Sequence, residues 1–189
     1  MSITAFWNGF SAFSDLWSKE MESGNQRKVF DAIDSLLQSN SLPFCFDITN
    51  DDGGCLLIFS PEGDAEIARS IDQLVKSAPT SENWRILGRR PQKDLEDAAA
   101  IVRKLYLLDP VQLRYRARHD NMGPIVDMIV PTTADLSPEE AQGMINTFLW
   151  HVIGEGTVMN EHIRGNVIFD DKPDGTTISA TQLVAIGRR

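Results

Sequence analysis

The sequence predicts an α+β fold, in which a mixed, mainly antiparallel sheet is covered by helices within a single domain of residues 1–189. Apolar residues recur at spacings of three and four in some segments, as in helices, and alternate with polar residues in others, as in strands. These segments follow one another in the order ααββαβαββα and then strands, which is typical of α+β proteins. A hydrophobic fraction of 42% provides for a substantial core, and no internal repeat is visible.

Two helices open the chain. Residues 3–21 place five aromatic rings on one stripe of an amphipathic helix, namely Phe6, Trp7, Phe10, Phe13 and Trp17. The polar face carries no Lys or Arg before Lys19, whereas a helix lying on a membrane surface needs basic residues there. The stripe therefore favours docking on the core, with a protein interface as the alternative. Residues 25–37 form the second predicted helix.

A hairpin follows, with strands at residues 44–49 and 55–60 on either side of the turn signal TNDDGG. This pairing leaves Cys45 too far from Cys55 for a disulfide. Both cysteines are therefore expected to be small buried hydrophobic residues. A helix at residues 64–77 and a strand at residues 84–87 come next.

A helix at residues 94–107 precedes a second hairpin, in which apolar and polar residues alternate regularly. Arg114, Arg116 and Arg118 share one face of its first strand. If residues 119–124 form the loop, Arg116 lies directly opposite Asp127, and the two opposite charges attract one another. This register explains one arginine and leaves Arg114 and Arg118 unexplained.

The last long helix begins at a capping box, with Ser137 at the N-cap and Glu140 at the third helical position. Its apolar stripe ends at Gly154. Strands are predicted at residues 157–161, 163–169 and 176–186, and the turn DDKPDG joins the last two.

The net charge of −9 argues against general affinity for nucleic acids or anionic membranes, because such binding depends on Lys and Arg. The basic residues are concentrated, since residues 85–118 carry 9 basic and 4 acidic groups between two acidic segments. No apolar run approaches the ~18 residues of a membrane span, and the N-terminus lacks the features of a secretory leader. We therefore expect a cytoplasmic protein without nucleic-acid or membrane partners.

The stretch FLWHVIGEGTVMNEHIRG is a candidate metal or acid–base site. His151 and Glu155 would share one helical face if the helix continued. A glycine on either side of Glu155 predicts, however, that the helix has already ended. Glu161 and His162 would point to opposite faces of a strand. A helix terminus with structural polar contacts is favoured, so no catalytic residue, metal or cofactor is predicted.

Two further features are candidate binding surfaces. Trp150 lies opposite the apolar stripe of its helix, where it is either covered by another element or exposed to hold a partner. The basic segment contributes Arg89 and Arg90 near one loop and the three arginines of the second hairpin. Arginines in such an arrangement suit an acidic protein surface or a phosphorylated ligand. Neutralisation by carboxylates of the chain itself is the favoured alternative.

Several short motifs occur in an order that is familiar: FWxxF in the first helix, LLIFSPEG, SAPTSENWRILGRRP, and IGEG before HIRG. They include Trp84, Arg90, Pro91, Gly154 and Glu155 and span most of the chain. In this order the chain resembles a family of uncharacterised bacterial cytoplasmic proteins of unknown function. The resemblance implies no activity, although related small acidic bacterial domains include immunity proteins, which bind and neutralise toxins.

These observations predict a non-enzymatic, soluble protein that acts by binding another protein, as an immunity or accessory factor, or by binding a second copy of itself. The negative charge, the two candidate surfaces and the lack of familiar catalytic motifs motivate this prediction. The alternative is an enzyme or a binder of a small anionic ligand. It would use His151, Glu155 and one of Glu161 and His162, with the arginines holding the anion.

Overall fold

The computed structural model describes residues 2–51, 53–172 and 175–186. The chain divides into two compact units, Met1–Arg90 (unit 1) and Pro91–Arg189 (unit 2), each with its own sheet and its own buried core. The α+β class and the mixed, mainly antiparallel strand pairing are confirmed, although the strands form two sheets rather than one. A single domain over residues 1–189 stays a prediction. No helix in the described part is long and apolar enough to cross a bilayer.

Unit 1 begins with the two predicted helices, α1 (Ile3–Glu22) and α2 (Gln26–Ser39). The aromatic stripe of α1 docks on the core as expected, and its buried rings are those of Phe6, Trp7, Phe10 and Trp17. Phe13 is 52% exposed and stacks on Trp17. The long aromatic helix is therefore an integral part of the core of unit 1.

The sheet of unit 1 has the order β1-β2-β3. Strands β1 (Cys45–Asp51) and β2 (Gly54–Ser60) form the predicted hairpin. Helix α3 (Ala65–Lys76) then leads to β3 (Trp84–Leu87), which pairs with β2 in parallel.

The two cysteines lie at opposite ends of the first hairpin, because Cys45 pairs with Ser60 and Cys55 pairs with Asn50. Both thiols are free, as predicted. Cys55 is buried as predicted. The prediction that Cys45 is buried is wrong, because Cys45 is exposed. Cys45 begins an edge strand and points to the face opposite the buried Phe46.

Unit 2 begins with α4 (Leu95–Tyr106) and a short 3-10 helix (Pro110–Gln112). Its sheet has the order β6-β5-β4-β7. The hairpin consists of β4 (Arg114–Asp120) and β5 (Gly123–Val130). A helical segment follows, consisting of α5 (Pro138–Leu149), a π-helical turn (Trp150–Gly154) and α6 (Glu155–Asn160). It leads to β6 (Arg164–Phe169), which pairs with β5 in parallel, and the described part closes with β7 (Ile178–Ser179) and α7 (Ala180–Ile186).

The register of the second hairpin is the predicted one, since Arg116 pairs with Asp127. The loop is shorter than predicted, because the strands continue to Asp120 and resume at Gly123. The capping box at Ser137 and Glu140 is also confirmed.

Two predicted strands near the end of the chain are wrong. Residues 155–160 form α6 instead of a strand at 157–161, and α7 replaces most of the strand predicted at 176–186. Ala180, Leu183 and Val184 are buried at helical spacing, so the helical period decides the local structure there. The DDKPDG turn includes Pro173 and Asp174, which lie outside the described residues.

Both units have the same order of elements: a helix, a hairpin, a helical segment, and a strand parallel to the second strand of the hairpin. In unit 1 this order is α2, β1, β2, α3 and β3. In unit 2 it is α4, β4, β5, the segment from α5 to α6, and β6. The sequence shows no repeat, so the correspondence lies in the topology.

Candidate functional site

The stretch that the sequence singles out, residues 148–165, is built around the π-helical turn. The turn ends at Gly154, whose φ of +95° is rarely adopted by a residue with a side chain. A Cβ at this position would also lie 3.3 Å from the backbone nitrogen of Gln92. The helical run therefore ends at Gly154 as predicted, but Glu155 begins a further helix.

The start of unit 2 caps this turn. The backbone N–H of Lys93 donates to the carbonyl oxygen of His151 at 2.7 Å. The side-chain amide of Gln92 donates to the carbonyl oxygen of Val152 at 3.0 Å. Buried backbone carbonyls are costly to leave without a donor, so these two hydrogen bonds stabilise the turn in its irregular form.

The four acid–base candidates do not form one site. His151 and Glu155 are buried, whereas Glu161 and His162 are exposed. Glu161 is the C-cap of α6, and His162 follows in the left-handed region with a φ of 53°, so the two lie in a turn rather than in the predicted strand. No group of three or more His, Cys, Asp and Glu in the described part of the chain is arranged to hold a metal ion.

Trp150 begins the π-helical turn and is half-buried. Its ring packs against the hydrophobic core of unit 2. Of the two alternatives, coverage by neighbouring residues therefore describes Trp150 better than exposure to solvent.

The two arginines that follow β3 are engaged within unit 1. The side chain of Arg90 is 11% exposed and donates to Asp47 at 2.8 Å and to Ser60 at 2.5 Å. A guanidinium nitrogen of Arg89 lies 3.1 Å from a carboxylate oxygen of Asp72. Internal neutralisation, which the sequence favoured, accounts for both side chains.

The three arginines of β4 differ in their contacts. Arg118 donates two hydrogen bonds to the carboxylate of Asp127, at 2.8 and 2.9 Å. Arg116 lies opposite Asp127 in the register, and its Nε donates to the hydroxyl of Thr176 at 3.1 Å. Arg114 is exposed and makes no ion pair with any residue that the structure describes.

Asp127 is fully buried and is the ionic centre of this sheet. Besides Arg118, the side-chain amide of Asn166 on β6 donates to it at 2.8 Å. Burial pushes the pKa of Asp127 up, but the hydrogen bonds from Arg118 and Asn166 outweigh burial, so the pKa lies below its usual value. The carboxylate therefore stays charged at neutral pH and fixes the guanidinium of Arg118.

A pocket of about 310 Å³ opens beside Arg118. Most of its walls are apolar. They come from β4, β5, the π-helical turn, the residue before β6, and α7. The apolar residues that line it include Ala117, Pro124, Val126, Ile153, Ile163 and Leu183. Arg118, Thr157 and Glu161 supply polar groups. Apolar walls with a few polar groups are typical of binding pockets, whose volumes are about 300–1,000 Å³. This pocket is therefore a candidate binding site at the small end of that range.

The sequence found only part of this site. Arg118 was a candidate, and the aspartate within the apolar run IVDMIV was an available signal for a buried charge. The pocket itself was missed, because Ala117 and Ile163 look like ordinary strand residues until the space beside them is known. Asn166, which completes the cluster around Asp127, carried no signal.

The chain matches no protein-family model, no curated protein and no solved structure. Its function is therefore inferred from the geometry described above.

Proposed function

We propose that the chain is a non-enzymatic binding protein, whose ligand is another protein and whose contact surface includes the pocket beside Arg118. The pocket is the observation that supports this proposal, because it combines apolar walls with the opposite charges of Arg118 and Glu161. An immunity or accessory role is the specific form of this proposal, because related small acidic bacterial domains include immunity proteins. The two free cysteines support a reducing compartment, the cytoplasm.

The pocket has the properties of a place that holds one side chain of a partner. Interfaces derive most of their affinity from a few large side chains that fill desolvated pockets, surrounded by polar groups. Arg118 is already held by Asp127, so little conformational entropy is lost when a partner contacts it. Met122, in the turn two residues before the lining residue Pro124, is 69% exposed and adds apolar surface.

The alternative, a small anionic ligand, is less well supported at this pocket. The charge of Arg118 is offset by Asp127, and Glu161 adds a negative charge to the lining. An anion therefore meets no net positive charge there. Native mass spectrometry of the purified chain would favour the alternative if it showed a small molecule bound at a ratio of one to one.

Site-specific photo-crosslinking in extracts of the source cells tests the proposal. Thr157 is exposed and lines the pocket, and Glu139 is exposed at the start of α5 and does not line it. A photoreactive amino acid at Thr157 is expected to capture a protein that the same amino acid at Glu139 does not capture. Ile163→Trp, which fills the pocket, is expected to abolish this product. Identical products from the two positions, or none from Thr157, would contradict the proposal.

A further inference from the structure

We infer, on the basis of the proposed function, that the pocket beside Arg118 receives an aromatic side chain from an amphipathic helix of the partner protein. This helix docks on unit 2 in the way that α1 docks on unit 1.

The two hairpins define which positions are equivalent. Both turn on the pattern Asp-x-x-Gly, at residues 51–54 and 120–123, and in both the aspartate pairs with the glycine. The parallel strand then places an arginine opposite the second residue after that glycine, Arg85 in unit 1 and Arg164 in unit 2. Each arginine forms an ion pair with the aspartate of its own turn. The two units therefore match both in the register of these strands and in the ion pair between arginine and aspartate.

By this correspondence, the pocket walls of unit 2 occupy positions that belong to the core in unit 1. The equivalent residues are Ala117 and Ile48, Val126 and Leu57, and Ile163 and Trp84. All three residues of unit 1 are buried in its core. Because alanine replaces isoleucine and isoleucine replaces tryptophan, unit 2 has less side-chain volume at this point and an open pocket.

In unit 1 the aromatic helix α1 packs against Trp84, the counterpart of Ile163. The ring of Phe10 packs edge to face against Trp84, with 5.3 Å between the ring centroids. The indole N–H of Trp84 donates to the carbonyl oxygen of Ser14 at 2.9 Å. Unit 1 therefore shows how an aromatic helix can pack against this part of the sheet.

In unit 2 the helix that lines this pocket is α7. α7 packs against α4 and β4 and contributes Leu183 to the pocket wall. Among the residues that the structure describes, no aromatic side chain lines the pocket, so the ring of Phe10 has no counterpart in its walls.

The charges beside the pocket define the partner further. Arg118 stands at the position of the uncharged Thr49, and its side chain is 47% exposed. Because Asp127 offsets its charge, Arg118 offers N–H donors to a neutral polar side chain of the incoming helix rather than a site for an anion. The expected ligand is therefore an amphipathic helix that places an aromatic residue in the pocket and a hydrogen-bond acceptor at its edge, a common mode of protein recognition.

A fluorescent peptide with the sequence of residues 2–23 serves as the probe, and fluorescence anisotropy with the full-length chain measures its affinity. Saturable binding is expected, with at least a tenfold loss for Ile163→Trp, which restores the side chain of unit 1. Ile168→Trp is the matched control, because it places the same residue on the other face of β6. If Ile163→Trp does not fold, Ala117→Ile tests the same point. Unchanged binding by the pocket variants would overturn the inference.

Two altered peptides separate helix docking from other kinds of binding. Phe10→Ala in the peptide removes the aromatic ring, and Ala12→Pro keeps every ring but breaks the helix. Both are expected to weaken binding at least tenfold. Equal binding of the Ala12→Pro peptide would mean that the pocket takes an extended segment, which overturns the helix but leaves the proposed function standing. Failure of both the peptide and the crosslinking at Thr157 would overturn the two together.

Discussion

The strand order of the three-stranded sheet of unit 1 recurs in three of the four strands of unit 2, but the two units are completed differently. In unit 1 the aromatic helix α1 packs against Trp84, and Phe10, Ile48, Leu57 and Trp84 are all buried in one core. Unit 2 has an apolar pocket at the equivalent positions, and α7 forms part of its wall. The contact between α1 and the sheet of unit 1 thus indicates the position at which unit 2 can bind a ligand.

The two units share the construction of the hairpin end. A Cβ on Gly54 would lie 3.1 Å from the carbonyl oxygen of Asn83, and one on Gly123 would lie 3.2 Å from that of His162. Each of these carbonyls lies two residues before the arginine that pairs with the turn. The two glycines therefore allow the same close approach of the hairpin to the segment before the parallel strand.

The sheets differ in charge at the position of Asp127, which corresponds to Ile58 in unit 1. Both residues are buried. In unit 2 a charged cluster replaces an apolar side chain, and this cluster holds the arginine next to the pocket. The difference therefore lies beside the proposed binding site.

Removing the aromatic contact of α1 gives the largest expected effect. Phe10 is fully buried, so Phe10→Ala should lower the free energy of unfolding by about 3–5 kcal/mol. Phe13→Ala on the same helix is the control, with an expected loss of about 1 kcal/mol or less because its ring is 52% exposed. Urea unfolding measures both. Equal losses would mean that α1 does not close unit 1 in the way described.

The equivalence of the hairpins predicts similar costs for Gly54→Ala and Gly123→Ala. Their φ angles of +105° and +124° are unfavourable for alanine, and each added methyl group meets a backbone carbonyl. We expect each substitution to cost at least about 1–2 kcal/mol from the backbone conformation alone, plus the clash. Gly24→Ala has a positive φ but open space around it, so it isolates the conformational part. A large effect in only one hairpin would break the correspondence.

Because Asp127 is titratable, we expect the free energy of unfolding to depend on pH in the acidic range. Ile58, at the equivalent position of unit 1, has no titratable group. Because the pKa of Asp127 is lowered in the folded state, its contribution to stability is present above the unfolded value of about 3.9. It is lost as the pH falls through the lower, folded pKa. Asp127→Asn should therefore be less stable than the wild type at neutral pH but lose less stability on acidification. Urea unfolding at neutral pH and at about pH 3 measures this, with Asp135→Asn, at an exposed aspartate, as the control.

The smallest effect is expected for Arg114→Ala. Arg114 is exposed, so its removal should change the free energy of unfolding by no more than about 0.5 kcal/mol. Arg90→Ala is the contrasting variant, because it removes a nearly buried guanidinium from Asp47 and Ser60. Thermal unfolding should separate the two clearly. Similar melting temperatures would mean that the contacts of Arg90 contribute little.

Most elements as far as Leu149 follow from local sequence signals. Helical spacing, caps such as Asp64 and Asp94, and two clear hairpin turns are all readable without the structure. The later errors have a different origin, since the helices at residues 155–160 and 180–186 are short and depend on burial against the rest of unit 2. Local propensity alone does not decide such segments.

The likeness of the two units and the pocket were both out of reach of the sequence. The shared features are an aspartate, a glycine and an arginine in each unit, which are too few to show as a repeat. The pocket depends on the difference in side-chain volume between Trp84 and Ile163, and this difference has meaning only once the two positions are known to be equivalent.

The cap on the π-helical turn has a consequence for the order of folding. The hydrogen bond from Gln92 to Val152 joins residues that are 60 positions apart in the chain. Contacts between distant residues form slowly, because the entropy of closing the intervening loop is lost before the contact contributes. We therefore expect the irregular turn, and with it the pocket wall formed by Ile153, to acquire its final shape later than segments with local contacts such as the hairpin.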